Sequence, residues 1–424
     1  MFLDECGGDR VSRASPLIRP PMTILIVTDQ FPPKHFGGMA QHAWHLSRHL
    51  AGSHRVIVAV PKSLGKPADA HGLDVRPVLD VASPRRDANA LLKLARAERC
   101  DVIHSCTAGL TPIPLSAEFP VVQRVVGNDF LRPWCGGNLP LRGVFYRIPM
   151  AAVRNAFARH ERARRKVNVI AQLARCRTIA ANSQWTAAAL GREGIPADRI
   201  RTIVGGMDCS VFCPAEDRSA LRASLGVQPH EFMIVTAGNF VPKKGFDTVL
   251  RAIALLGKHK AVIRYFAIGD GPQEANLRSL ADTLELSRSV TFTGRMNQSR
   301  LTQYYQACDA YVQPSRDHAM SQQMTDVETM GRTFFEAGGC GAAVIGSSVG
   351  GIPDVIRPHD NGLLIGNPED PAELANAIAL LLENPEVRAQ LGAAGIRRAH
   401  DEFSWDIVAA RYDRELSQAI SIQR

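Results

Sequence analysis

Short, continuous apolar runs recur along the chain, each closed by a loop rich in Gly, Pro or polar residues. The first set is Thr23–Thr28, Arg55–Val60, Val102–His104, Val121–Val126, Thr178–Ala181 and Arg201–Val204. Runs without polar alternation predict strands buried on both faces, as in a parallel sheet. Helical periodicity lies between them, beginning with Met39–Leu50. A second set starts at Phe232–Ala237 and continues through Ile263–Ile268, Val290–Thr293, Ala310–Val312, Ala343–Ile345 and Gly362–Ile365. It too alternates with helical stretches, the first at Phe246–Leu256. Strand–helix–strand order of this kind predicts doubly wound α/β units. Two such units, joined near Gly205–Pro214, suit a chain of 424 residues, which is long for one core. The expected organisation is a poorly ordered tail over 1–21, a first domain over 22–208 and a second over 215–404. A last helix follows at Trp405–Ile420.

Composition narrows the class. Hydrophobic residues make up 45% and charged residues 21%, as in soluble globular proteins. No apolar run is long enough to cross a bilayer. The first residues mix Asp4, Glu5, Asp9 and Arg10 with prolines and lack the basic-then-apolar order of a signal peptide. A cytoplasmic location is expected, with peripheral contact at the inner membrane face left open. The nine cysteines include no Cys-x-x-Cys pair and read as reduced thiols. The net charge of +9 suits nucleic acid, an anionic membrane or phosphorylated substrates. Zinc-finger and aromatic RNA-binding motifs are absent, so no nucleic-acid partner is expected. The basic stretch Arg154, Arg159, Arg162, Arg164, Arg165, Lys166, Arg175 and Arg177 carries apolar residues at helical spacing. It is either a solvated helix or a membrane-surface face. His42, His45 and His49 share one helix face, but no local carboxylate or cysteine joins them into a metal site.

The chemistry-bearing residues concentrate in Asp326–Gly339, where Glu328 and Glu336 are separated by seven residues. Gly331 permits a tight backbone turn where a helix is expected to start, and the free amides there attract anions. Glu336 would lie about one and a half turns into that helix. Carboxylates beside and within a helix mouth suit a ligand with phosphate in its middle and hydroxyl-bearing rings at both ends. A sugar nucleotide has that shape. Other loops follow in order: Gly37-Gly38, Gly127-Asn128-Asp129, Asn182–Thr186, Gly206–Asp208, Phe212–Pro214, Pro242–Gly245, Gly269–Pro272, Phe292–Arg295, Pro314-Ser315 and Gly350–Pro353. Gly269-Asp270-Gly271 lacks the third glycine of a dinucleotide fingerprint and reads as a strand-end turn.

The glutamate pair and these loops, spanning Thr23 to about Ile420, resemble the retaining glycosyltransferases of the GT-B fold, in the large family numbered four. The resemblance implies two Rossmann-like domains facing a cleft, with the C-terminal helix crossing back to the first domain. It implies an enzyme moving a hexosyl or N-acetylhexosaminyl group from a UDP- or GDP-linked donor to an acceptor hydroxyl. The acceptor would be a sugar, a lipid-linked group or a small molecule. Glu328, Lys244 and Asp129 would be catalytic. The donor would lie on the second domain against Gly38, Asn239, Lys244, Arg295, Met296, Glu328, Met330, Gly331, Arg332, Thr333 and Glu336. Glu336 would take the ribose hydroxyls, Glu328 would lie near the transferred sugar and Lys244 would face the pyrophosphate. The acceptor would meet Gly37, Gly38, Met39, His104, Asn128 and Asp129. No cofactor is implied. No Asp-x-Asp triplet occurs, so metal-independent transfer is expected, with cations and a helix terminus in the metal's place.

Two positions depart from the family. Asn239 stands where an arginine is usual, and Val126 where many relatives have a histidine. Arg332 is the expected substitute for the missing cation. Two rivals share the fold: a nucleotide-sugar epimerase or hydrolase, and a non-catalytic sugar-nucleotide-binding homologue.

Overall fold

The computed structural model describes residues 20–35, 37–65, 72–81, 84–110, 113–127, 166–321 and 324–421. Seven parallel strands form the first sheet: β1 (Thr23–Val27), β2 (Arg55–Pro61), β3 (Asp74–Leu79), β4 (Val102–Ser105), β5 (Val121–Val125), β6 (Thr178–Ala181) and β7 (Ile200–Thr202). Their order is β3-β2-β1-β4-β5-β6-β7, so the topology reverses direction between β1 and β4. The second sheet contains β8 (Phe232–Ala237), β9 (Ile263–Ile268), β10 (Val290–Gly294), β11 (Ala310–Val312), β14 (Ala343–Ser347) and β15 (Gly362–Ile365). All its pairs are parallel, in the order β10-β9-β8-β11-β14-β15, and the reversal lies between β8 and β11. A small antiparallel hairpin, β12 (His318–Ser321) and β13 (Met324–Asp326), stands apart.

Every apolar run expected to be a strand forms one, with ends shifted by at most two residues. The reason is burial. Ile24, Leu25, Ile26 and Val27 of β1 are all fully buried, as are Met233, Ile234 and Val235 of β8. Three strands carried no such signal. β3 is an edge strand with half-buried positions and Pro77, a residue that edges tolerate, while β12 and β13 form only the isolated hairpin.

Three helices position the cleft. Helix α1 (Gly38–Ala51) follows β1, and α2 (Arg332–Gly339) follows the loop after β13. Helix α3 (Trp405–Ser421) is the last element and packs against α1, β4 and β5 of the first domain. Two chain crossings join the domains and pair with each other. The Met207 amide donates to Phe403 O at 2.8 Å and the Trp405 amide to Met207 O at 3.2 Å. Gly206 has no side chain because the Trp405 ring lies where one would go, 2.6 Å from an added Cβ.

Candidate active site

In open parallel sheets, ligands bind beyond the carboxyl ends of the strands, near the topological switch point. Most of the expected site residues that the structure describes sit there, in both domains. Gly37 and Gly38 lie on the loop after β1, Asn239 and Lys244 follow β8, Arg295 follows β10, and Glu328 to Glu336 run from the segment after β13 into α2.

Gly331 is the turning point of the second-domain site. Its φ of 79° is in the left-handed region, and a Cβ there would meet the Phe334 ring at 2.8 Å. Glycine is the residue that takes this conformation without steric penalty. The turn sets the start of α2, whose first residue, Arg332, approaches Gly38 of the first domain. It also lets the Gly331 amide donate to the Glu328 carboxylate.

Two cation–carboxylate pairs flank that turn. The Lys244 Nζ lies 2.6 Å from Glu328 Oε2, and both side chains are 15% exposed. The Lys244 stem packs beside Gly238, its Cε in ordinary contact range, 3.4 Å, of an added Cβ. Lys243 pairs with Asp326 at 2.8 Å on the same segment. Burial pushes the Glu328 carboxyl up, but the Lys244 and Lys243 charges, the Lys244 hydrogen bond and the Gly331 amide outweigh it. The net effect holds it below its ordinary value. In the second pair, Arg332 Nε donates to Glu336 Oε1 at 2.5 Å, one helical turn along α2. Glu336 is more deeply buried. Burial pushes its carboxyl up, and Arg332 offsets only part of that. The two glutamates, alike in sequence, therefore differ in charge balance.

The loop between them is fixed across the domain seam. Thr329 Oγ1 donates to Val126 O at 2.8 Å and accepts from Asn182 Nδ2 at 3.2 Å. Asn182 Oδ1 accepts from Thr186 Oγ1 at 2.7 Å, and the Gly205 amide lies 3.3 Å from Met330 Sδ. The Asn182–Thr186 motif thus supports the glutamate loop from the opposite domain. The Gly351 amide donates to Glu328 O at 2.9 Å, and backbone crowding at Gly350 and Gly351 leaves no space for a Cβ.

Asn239 is exposed, and the Arg295 guanidinium reaches within 3.5 Å of its Oδ1. Arg295 also holds Asp270 through Nε and Nη2, the closest contact 2.7 Å. A cation therefore stands beside the neutral position, delivered from the end of β10, two strands away from β8. Met296 is half-buried, and Thr333 lies half-buried on the first turn of α2. On the first domain, Gly37 and Gly38 are exposed and Met39 is half-buried. A Cβ on Gly38 would lie 3.9 Å from Arg332 Nη1, so the two domains approach each other at this point. Asn128 and Asp129 fall outside the described residues, as does the basic stretch up to Arg165.

His104 occupies a different environment from the acceptor position expected of it. It is fully buried, with its ring 5.0 Å from that of Tyr412 on α3, and Nδ1 lies 3.1 Å from Val122 O. The packing of α3 over the ends of β4 and β5 covers it. Burial and the nearby Arg124 push its imidazole down to about 3. His42, His104 and Cys106 bring potential metal-ligand atoms within 4.8 Å of one another. The Arg124 charge bears on both imidazoles, which opposes a cation there. The histidine face of α1 instead docks α3. His42 is buried 5.6 Å from Trp405, His45 stacks on that ring at 5.1 Å, and His49 lies 3.6 Å from Asp406.

The seven described cysteines are all free. No described helix is long and apolar enough to cross a membrane. In the described part of the basic stretch, Leu173 is buried, Val167 is 67% exposed, and Lys166 pairs with Glu193 at 2.6 Å.

Residues 36–211 match the sequence model of glycosyltransferase family 4, and residues 217–398 match that of the glycosyl transferases group 1. The chain belongs to the family-4 glycosyltransferases. A GDP-mannose-dependent alpha-(1-6)-phosphatidylinositol monomannoside mannosyltransferase of Mycobacterium tuberculosis is 26% identical over 400 residues, covering 92% of this chain and 96% of that protein. A Corynebacterium glutamicum enzyme described as acting on the monoacylated form is 32% identical over 208 residues, where the match spans 49% of this chain and about half, 53%, of that relative. Among solved structures, Anabaena HepE in complex with UDP superposes with a TM-score of 0.71 at 21% identity, covering 94% of this chain and all of that one. Sucrose-phosphate synthase from Thermosynechococcus elongatus gives 0.71 at 21% identity, covering 95% of this chain and all of that one. These neighbours share the GT-B fold of this family-4 chain.

Proposed function

We propose that this glycosyltransferase moves a hexosyl group, with retention of anomeric configuration and without a metal ion, from a nucleoside-diphosphate sugar to an acceptor hydroxyl. GDP-mannose is the first donor to test, because the curated relative matched along nearly its whole length is named as GDP-mannose-dependent. The acceptor proposed first is a phosphatidylinositol mannoside, on the same ground.

One observation carries this reading: two cation–carboxylate pairs flank a left-handed glycine at the mouth of α2. Lys244 and the α2 amides would stabilise charge on the leaving diphosphate, the role a metal ion plays elsewhere. Glu328, held ionised, would lie near the sugar and stabilise positive charge developing at its anomeric carbon. Glu336 would accept hydrogen bonds from the ribose hydroxyls. The acceptor proton would pass to the departing phosphate on the same face of the sugar, which keeps the anomeric configuration. Gly37, Gly38, Met39, Asn128 and Asp129 remain proposed acceptor contacts, and Asn239 and Arg295 proposed donor contacts.

Purified protein is incubated with phosphatidylinositol monomannoside and GDP-mannose, GDP-glucose, UDP-glucose or UDP-N-acetylglucosamine, with and without EDTA. NMR assigns the product anomer. An α-linked product formed equally well in EDTA supports the reading. Inversion, loss of activity in EDTA, or nucleotide release without transfer would overturn it.

A further inference from the structure

Arg332, expected from the sequence to replace the missing cation, has one guanidinium edge committed within the protein and one edge free. Its guanidinium has donors on two edges. Nε is committed to Glu336 Oε1. The Nη groups donate to no protein acceptor among the described residues, and Nη1 points across the cleft toward the exposed Gly37-Gly38 turn. Arg332 is also the first residue of α2, directly after the left-handed Gly331, so its own position is fixed by the turn. We propose that Arg332 bridges the donor, holding Glu336 with one edge and the diphosphate with the other, so that recognition of the ribose and of the diphosphate is energetically coupled.

The electrostatics support a bridge over two independent contacts. Among the charges acting on Glu336, Arg332 is the one that favours its ionised form, against the upward push of burial. Without Arg332, the buried carboxyl protonates more readily and becomes a poorer acceptor for ribose hydroxyls. Removing one side chain therefore weakens both ends of the donor site. A lysine supplies charge but has no planar fork, so it cannot hold a carboxylate and a phosphate in fixed directions at once.

This inference rests on the donor-site reading, and its test separates the two. Binding of guanosine, GMP and GDP (and the uridine series) is measured by calorimetry between pH 5 and 8 for wild type, Arg332→Lys and Arg332→Gln. Circular dichroism and thermal unfolding check that each variant is folded. The expected results are loss of GDP affinity by about 30-fold in Arg332→Gln and about 10-fold in Arg332→Lys. Guanosine affinity in Arg332→Gln should also become pH-dependent, weakening as pH falls, whereas wild type stays flatter. Wild-type GDP affinity in Arg332→Lys would overturn the bridge, since a point charge would then suffice. A loss of GDP affinity with guanosine binding unchanged at every pH would overturn the coupling. If wild type binds no nucleotide of either series, the donor-site reading itself fails.

Discussion

Thr329 is a sharp place to test whether the glutamate loop is held by the opposite domain. It is buried between Glu328 and Met330, and its hydroxyl makes two hydrogen bonds across the seam, at 2.8 Å to Val126 O and 3.2 Å from Asn182 Nδ2. Thr329→Val removes the hydroxyl while nearly keeping the shape. Each buried hydrogen bond contributes about 0.5–1.5 kcal/mol net, so the pair contributes about 2 kcal/mol to docking of this loop. At 1.4 kcal/mol per tenfold, that shifts the docked-to-undocked ratio by about 30-fold. Thr329→Ser keeps the hydroxyl and loses only the methyl that faces Gly127, whose added Cβ would lie 2.7 Å away. The assay is amide hydrogen exchange over Asn182–Ala187 and Thr329–Phe334 in the donor-free protein, because two-domain unfolding does not yield one two-state free energy. The valine variant should exchange about 30-fold faster in both segments, and the serine variant within about threefold of wild type. Equal effects of serine and valine, or unchanged exchange in valine, would refute the hydrogen-bond argument.

Other outcomes follow from the same geometry. Lys244→Met should lower the transfer rate by about 10²–10³-fold, as loss of one preorganised charge donor does. Lys244→Met combined with Glu328→Gln should be strongly non-additive, and additive rate losses would show that the 2.6 Å pair does not act as a unit. Glu336→Gln should raise the melting temperature at neutral pH yet weaken nucleotide binding. The folded-state carboxyl is pushed up, so its unfavourable contribution appears as pH rises from its unfolded value through its folded one. The stabilisation by glutamine should accordingly shrink at acid pH, and a constant difference across pH would count against it. Gly331→Ala places a Cβ at φ 79°, which costs about 1–2 kcal/mol before the clash with Phe334. Its unfolding midpoint should fall and nucleotide binding should weaken, and wild-type values for both would show that the left-handed turn is dispensable.

The sequence by itself determined the fold class and most strands. Residues that are buried on both faces of a sheet must be apolar throughout, and that writes an unbroken run into the chain. It also located the glutamate pair, because a spacing of seven residues around a glycine is a local property of one loop and one helix. Strands β3, β12 and β13 escaped notice because an edge strand and an isolated hairpin need no continuous apolar run. The tertiary structure alone decided what each charge meets. Lys244 finds Glu328 84 residues away, Arg295 reaches Asn239 from another strand, and Thr329 bonds to Val126 across the seam. It also converted the histidine face of α1 into a platform for α3, more than 350 residues distant. Local pattern records which face of an element is buried. It carries no record of the partner, because partners are chosen by the packing of elements that the chain visits far apart.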